Sequence, residues 1–253
     1  MTKNGWRKIR NQTLTAMSCL LMLNSLAQKV PDKIVILTFD DGCVSHYTYV
    51  APLLKKYGFG ATFFVCEFPG YPDSTKYMSW KQIQQLFREG FEIGNHTGHH
   101  TNINQLSPDS LREELAFVNR HCDTEWIPKP INFAYPAYVT DSSKLDVLRT
   151  MGIHSARTGG ERAYHPATDN PMYVPSFTPG DNLQKTIDAI RQAKDGAVAV
   201  LTIHGVPDSA HPWVTTSPAV FEAALQYLRK YHYRVWSMRD LQEYLDKAGS
   251  IEK

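Results

Sequence analysis

The chain has 253 residues, 42% of them hydrophobic and 21% charged, with a formal net charge of +2. That length suits one large α/β domain or two small ones, and the composition is that of an ordinary globular chain. Charge near balance, with no basic or acidic block, argues against binding nucleic acid through bulk electrostatics and against a solvating acidic tail.

The N-terminus reads as a signal peptide. Lys3, Arg7, Lys8 and Arg10 form a positive start, Leu14 to Leu26 is mostly apolar, and Ser25-Leu26-Ala27 offers small residues for cleavage before Gln28. The apolar stretch is shorter than the ~20 residues a bilayer span needs, which argues against an uncleaved anchor. Residues 1–27 are therefore expected to be leader, residues 28–253 the mature domain, and the product secreted or periplasmic. A lipoprotein attached through Cys19 ranks second. Cleavage removes four positive charges and no negative one, so the formal charge moves from +2 to −2. Cys43, Cys66 and Cys122 then remain, an odd number with no zinc-finger or disulfide-framework spacing. No later segment is apolar enough to cross a membrane, so the protein is not expected to be an integral membrane protein.

Strand and helix signals then alternate. Lys33 to Phe39 is a β-branched apolar run, and Tyr47 to Tyr57 has helical spacing that ends at Gly58. Ala61 to Val65 is a second strand. Ser79-Trp80-Lys81-Gln82 is a capping-box pattern opening a helix to Arg88, and Phe91 to Asn95 is a third strand. Ser107-Pro108 starts a helix to about Cys122. Ile131 to Tyr135 is a strand, Ser142 to Met151 a helix, and Ile153 to Arg157 a strand. Residues 158–180 read as a long, functional loop. Asn182 to Ala193 is helical and Ala197 to Ile203 a buried strand. Ser217-Pro218 opens another helix, Tyr233 to Trp236 is a short strand, and Met238 to Leu245 closes with a helix. Alternating units of this kind predict a single α/β domain, an irregular (β/α)7-type barrel with its chemistry at the C-terminal strand ends.

Three clusters sit at those ends. Thr38-Phe39-Asp40-Asp41-Gly42 puts two adjacent carboxylates after an apolar strand, where they are costly unless paired or bound to metal. A plain Asp-Gly turn would look the same. Asn95-His96-Thr97-Gly98-His99-His100 carries three imidazoles, of which His96 with either His100 or His99 could share a divalent cation with one carboxylate. His204, between Ile203 and Gly205, follows a buried strand, a placement that a capping histidine would share.

Together these residues resemble the polysaccharide deacetylases, the family 4 carbohydrate esterases with the NodB homology domain, from about Lys33 to Leu245. Thr38-Phe39-Asp40-Asp41-Gly42 matches the first family motif and His96-Thr97-Gly98-His99-His100 the second. The resemblance implies that Asp41, His96 and His100 bind one divalent metal ion, that Asp40 is the general base and that His204 is the general acid. Zinc suits such a set, and cobalt or nickel can substitute.

Phe133-Ala134-Tyr135-Pro136-Ala137-Tyr138 stands where the family has Arg-x-Pro-Tyr, so Ala134 replaces the arginine that orients the base. Ala137 keeps the backbone N–H that the resemblance assigns to the oxyanion, with Tyr138 beside it. No counterpart of the family's Asp-Trp motif is evident, and Thr202 replaces a leucine two residues before His204. Arg157, ending the strand next to that of Ala134, is the candidate by architecture to replace the missing charge; the other reading is that it merely pairs with an acid such as Glu161 on the surface. Trp213, on the loop after His204, is expected either to meet a sugar face or to pack under that loop.

The resulting expectation is a metal-dependent hydrolase that removes acetyl groups from N-acetylated sugars of a glycan. Small non-sugar amides or acetyl esters of xylan are alternative substrates, and a non-catalytic glycan-binding protein is the third reading.

Overall fold

A computed structural model of the chain describes residues 30–251, with side chains to residue 247. The expected leader, its cleavage before Gln28 and the lipoprotein reading of Cys19 lie outside the described residues.

The sheet is built around β1 (Ile34–Phe39), whose six residues are all buried. Burial on both faces is what an Ile-Val-Ile-Leu run favours, and parallel strands covered by helices supply it. β1 pairs in parallel with β6 (Ala199–Ile203) along one edge, from Val35 opposite Ala199 to Phe39 opposite Ile203. From its other edge the sheet continues through β2 (Thr62–Val65), β3 (Glu92–Asn95), β4 (Asn132–Ala134) and β5 (Ser155–Arg157), all parallel.

The last strand, β7 (Arg234–Trp236), departs from a strictly sequential barrel. It does not lie between β6 and β1 but shares an edge of β1 with β2. β7 takes Ile34 to Ile36, and β2 takes Thr38 and Phe39. Gly60 makes the fit possible, because its N–H donates to the Val235 carbonyl and a Cβ there would stand 3.0 Å from the Ser237 nitrogen.

Residues 158–180 were expected to be loop, yet they close the barrel. Val174 N–H donates to Ala156 of β5, and Phe177 N–H donates to Val200 of β6. The segment is too rich in proline and glycine to read as a strand, but its backbone groups still need partners where they are buried.

The helices form where their caps are. Ser79 and Gln82 make the reciprocal capping box of α2 (Trp80–Arg88), each cap of this kind contributing about 1 kcal/mol. Ser107 caps α3 (Pro108–Thr124), Asn182 caps α5 (Leu183–Ile190) and Ser217 caps α6 (Pro218–Lys230). Three helices are shorter than their spacing suggested, α5 by ending at Ile190 rather than Ala193. α1 (Ala51–Tyr57) is preceded by a wider π-type turn over His46–Val50, since Pro52 has no N–H to continue an α-helical ladder back to Thr48. α4 (Leu145–Thr150) follows a 3-10 turn at Ser142–Lys144, and α7 (Met238–Ile251) runs past the expected end at Leu245.

Strand alternation sorts side chains into files. Inside the barrel, Ile34, Ile36, Phe64, Ala134, Val174, Val198 and Val200 form one apolar cluster, covered from one end by Met238 and Leu241 of α7. At that end a buried polar layer joins Thr62, Glu92, Asn132 and Ser155. Glu92 accepts from the Thr62 hydroxyl at 2.7 Å and from the Arg239 backbone at 2.7 Å. Burial pushes the Glu92 carboxyl up, against the hydrogen bonds from Asn132 and Thr62. The opposite end, where the strands finish, is where the charged residues gather.

Candidate metal centre and active site

Asp40 and Asp41 leave β1 in different directions because the chain turns sharply there. Asp41 and Gly42 both take left-handed backbone conformations, with φ of 75° and 66°. Both carboxylates are almost fully buried. Asp41 Oδ1 lies 3.4 Å from His96 Nε2 and 3.6 Å from His100 Nε2, and it has no hydrogen-bond partner of its own. Those separations match the edge of a coordination tetrahedron, about 3.3–3.6 Å for ligands 2.0–2.2 Å from a zinc ion. Asp41, His96 and His100 thus present three donor atoms converging on one point.

The ring of His96 is oriented for that task. Its Nδ1 lies 2.8 Å from the Ala134 carbonyl, which can only accept, so Nδ1 carries the hydrogen and Nε2 faces the carboxylates. His100 itself takes a left-handed backbone conformation (φ 55°), and its ring stacks on Phe68 with centroids 4.5 Å apart. His99, the alternative partner for His96, points away. It is exposed, and its Nδ1 lies 2.9 Å from Glu114 Oε1.

Electrostatics in the ion-free cluster favour charge separation. Burial would raise the Asp41 carboxyl, but the neighbouring His96, with His204 and His100, holds it at about 2. Burial would lower His96, yet Asp40 and Asp41 raise it. Burial and the neighbouring His96 push His100 down to about 4. A cation entering here replaces the proton on His96.

Arg157 is the other charge. Its side chain is completely buried, and its Nη2 donates to Asp40 Oδ2. The guanidinium lies between the rings of Phe64 and Tyr138, 5.5 and 5.4 Å from their centroids. It does not pair with Glu161, whose carboxylate accepts from the Thr178 backbone. Ala134 and Arg157 are register partners on β4 and β5. The cation therefore comes from the adjacent strand at the level where the motif arginine is missing. Asp40 Oδ1, the second oxygen, is buried without a partner.

The far side of the pocket comes from the chain after β6. His204 Nε2 lies 3.8 Å from Asp41 Oδ2. Its backbone is held by His46, a fully buried histidine whose Nε2 lies 3.1 Å from the His204 carbonyl. Burial pushes His46 down to about 4, so it is a neutral donor. The loop beyond His204 is organised by Asp208, which accepts from the backbone N–H of Gly205, Ala210 and His211. Glycine is required at 205, where a Cβ would sit 2.5 Å from the Asp208 Cα. The loop delivers His211 to the pocket, its Nδ1 3.7 Å from Asp41 Oδ2, and Trp213 to the rim, 79% exposed.

A cavity of about 310 Å³ joins these parts, lined by both aspartates, His96, His100, His204, His211, Ala137, Tyr138 and Trp213 among others. Phe68, Trp213 and Val214 give it an apolar side. Thr202 takes no part in it, since its hydroxyl bonds Ser176 behind the wall. Trp213 does not pack beneath the loop. All nine site residues singled out in the sequence, Asp40, Asp41, His96, His100, Ala137, Tyr138, Arg157, His204 and Trp213, lie in or against this cavity. His46, Phe68, Asp208 and His211 were not singled out. The Asp208-x-x-His211 spacing, a turn in which an aspartate caps its own loop, was the available signal for the last two.

Comparisons with known proteins give the family and the fold. The family profile for polysaccharide deacetylase matches residues 27–156, which is 130 of the 253 residues. YxkH of Bacillus subtilis (strain 168) is 32% identical over 148 residues, covering 58% of this chain and 52% of that protein. A peptidoglycan-N-acetylglucosamine deacetylase of Bacillus cereus is 33% identical over 113 residues, covering 44% and 50%. The chain spans about half the length of these curated relatives. Among solved structures, a family 4 acetyl xylan esterase from Clostridium thermocellum, in complex with a cobalt ion, superposes with a TM-score of 0.58 at 23% identity. It covers 83% of this chain and 90% of its own. A family 4 pseudoenzyme from Bacillus anthracis gives a TM-score of 0.58 at 19% identity, covering 83% and 66%. At such identities these structures speak for the fold alone.

Proposed function

The chain belongs to the polysaccharide deacetylase family, and we propose that it is a metal-dependent hydrolase that removes acetyl groups from N-acetylated sugars of a polysaccharide or cell-wall glycan. The observation that carries this reading is the pairing of Arg157 with Asp40 beside the Asp41-His96-His100 donor set. A buried arginine spent on a carboxylate that is not among the three donors marks that carboxylate for a separate task.

The roles follow from position. A divalent ion held by Asp41, His96 and His100 would polarise the acetyl carbonyl and make a nearby water easier to deprotonate. Asp40, oriented by Arg157, takes the proton of the attacking water. His204, across the pocket and pinned through its carbonyl by His46, gives a proton to the departing nitrogen, which leaves poorly as an anion. The products are acetate and a free amine. Ala137 and Tyr138 form the wall against which the acyl group rests, and Trp213 offers an exposed ring to a sugar face. Zinc suits the donor set, and cobalt or nickel can replace it. A polymeric glycan outside the cytoplasm matches a chain that begins with a leader-like segment.

Acetyl esters of xylan are the second reading. Its support is that the nearest carboxylate to His204 among the described residues, Asp41, already faces the metal donors, and an ester leaving group needs less help from an acid. The test is acetate release from a panel of N-acetylated glycans and acetylated xylan, with ion-loaded and chelator-treated protein. Ion-dependent release from N-acetylated glycans supports the proposal. Release from xylan alone moves the substrate class, and binding without release overturns the enzymatic reading.

A further inference from the structure

Besides Asp41, His96 and His100, one other group of metal-ligating side chains converges among the described residues: Cys43, Asp208 and His211. All three are buried, at 2%, 4% and 8% exposure. Asp208 Oδ2 lies 3.3 Å from Cys43 Sγ and 3.5 Å from His211 Nδ1. Tetrahedral zinc with a sulfur ligand at about 2.3 Å and oxygen and nitrogen ligands at about 2.0–2.1 Å has donor-to-donor edges of roughly 3.3–3.6 Å. Those two separations fall in that range, and all three donor atoms lie within 4.8 Å of one another.

The independent sign is His211 Nδ1. It is a buried ring nitrogen with no hydrogen-bond partner. Its separation from Asp208 is too long for a hydrogen bond, which for N–H to O spans about 2.7–3.2 Å. It is right for two atoms sharing a cation. The ring is not misplaced by a loose loop, because Asp208 Oδ1 accepts from the Ala210 and His211 backbones at 2.9 and 2.7 Å. That leaves Oδ2 turned towards Cys43, Gly205 and His211. The other ring nitrogen, Nε2, lies 3.4 Å from the Tyr77 hydroxyl.

We propose that Cys43, Asp208 and His211 form a second divalent-cation site, adjoining the first across Asp41. The donor set of one thiolate, one imidazole and one carboxylate selects a borderline ion of the zinc class over magnesium or calcium, which take oxygen ligands. Asp41 separates the two sites, with Oδ1 towards His96 and His100 and Oδ2 3.7 Å from His211 Nδ1. Binding releases the Cys43 proton to solvent and requires no oxidant or reductant.

The probe is Co²⁺, added to metal-stripped protein kept reduced, and read by ion counting and absorption. The expected result is two ions per chain and a near-ultraviolet sulfur-to-cobalt charge-transfer band. Cys43→Ser should abolish the band and bring the count from two to one. His96→Ala, which damages the first site, should also bring the count to one but keep the band. One ion per chain without the band overturns the proposal, as does a band that survives Cys43→Ser. Should Cys43→Ser fail to fold, the wild-type count and the band in His96→Ala decide the matter. Acetate release is not part of the readout, so this site and the proposed reaction can fail separately.

Discussion

The two oxygens of Asp41 look onto unlike halves of the pocket. On the Oδ1 side, His96, Asp40 and Arg157 stand on or just beyond the ends of β3, β1 and β5, with His100 five residues past β3 and stacked on Phe68. On the Oδ2 side, His204 follows the end of β6 and is held through its carbonyl by His46, while His211 and Trp213 belong to the loop beyond it, shaped by Asp208 rather than by strand pairing. The contrast teaches a division of labour. Strand ends fix where buried charges such as Asp40 and Arg157 meet. A capped loop can expose a large ring such as Trp213 to solvent, as a substrate requires.

Substitutions can break that division. On the strand-end side, Asp40→Asn should keep the ion bound and cost about 10²–10⁴-fold in turnover, the usual worth of a general base. Loss of the ion in that variant, by direct metal analysis, would show Asp40 to be a ligand instead.

Arg157→Met should be nearly as severe for a different reason. It leaves a buried carboxylate without its cation, a change that typically costs about 3–5 kcal/mol in stability. A lowered midpoint in denaturant together with lost activity is expected. Arg157→Lys should recover only part of each, because an ammonium is a point charge where the planar guanidinium sits between two rings. Unchanged stability in Arg157→Met would mean that the ion pair contributes nothing to holding Asp40.

On the loop side, His204→Ala should damage amide hydrolysis more than ester hydrolysis, with metal content unchanged. Equal losses on both substrates would remove His204 from the acid role.

The strand-end half should also respond to pH. His96 is raised by Asp40 and Asp41 in the ion-free protein, so protons compete with the ion for the first site. Ion affinity at that site should weaken as pH falls from 8 towards 6, a range set by the ordinary histidine value of ~6.5 and its upward shift. Isothermal titration across that range checks it, and a flat affinity would contradict the ionic pairing of His96 with Asp41.

The smallest effect belongs to the rim. Trp213→Ala should raise KM for a polymeric glycan several-fold, on the order of 1–2 kcal/mol for a lost aromatic contact, with the melting temperature unchanged. A drop in melting temperature would instead assign the ring to loop packing.

How legible this was depends on sequence distance. Asp40-Asp41 and His96 to His100 could be read because each cluster is contiguous and follows a strand whose apolar run is unmistakable. The capped helices were legible for the same reason, since Ser79 with Gln82, or Ser107 with Pro108, declare their ends within four residues. Residues 158–180 were not, because their pairing partners lie on β5 and β6 rather than nearby in the chain. Nor was the place of β7, which depends on Gly60 admitting another strand's backbone. His46 could not be recognised at all: its partner is a carbonyl 158 residues away.

By itself the chain's order of residues determined the alternating α/β architecture, the family resemblance, and the two short clusters, Asp40-Asp41 and His96 to His100, from which the converging donors are drawn. These rest on local propensity and short motifs, and such forces act over a few residues. Only the folded chain decided between His99 and His100, by turning one ring to Glu114 and the other to Asp41. Only it set Arg157 beside Ala134, and it alone brought Cys43 within reach of Asp208 and His211. Those outcomes depend on strand register and on burial, where a charge or polar group must find a partner at whatever distance along the chain the sheet provides one.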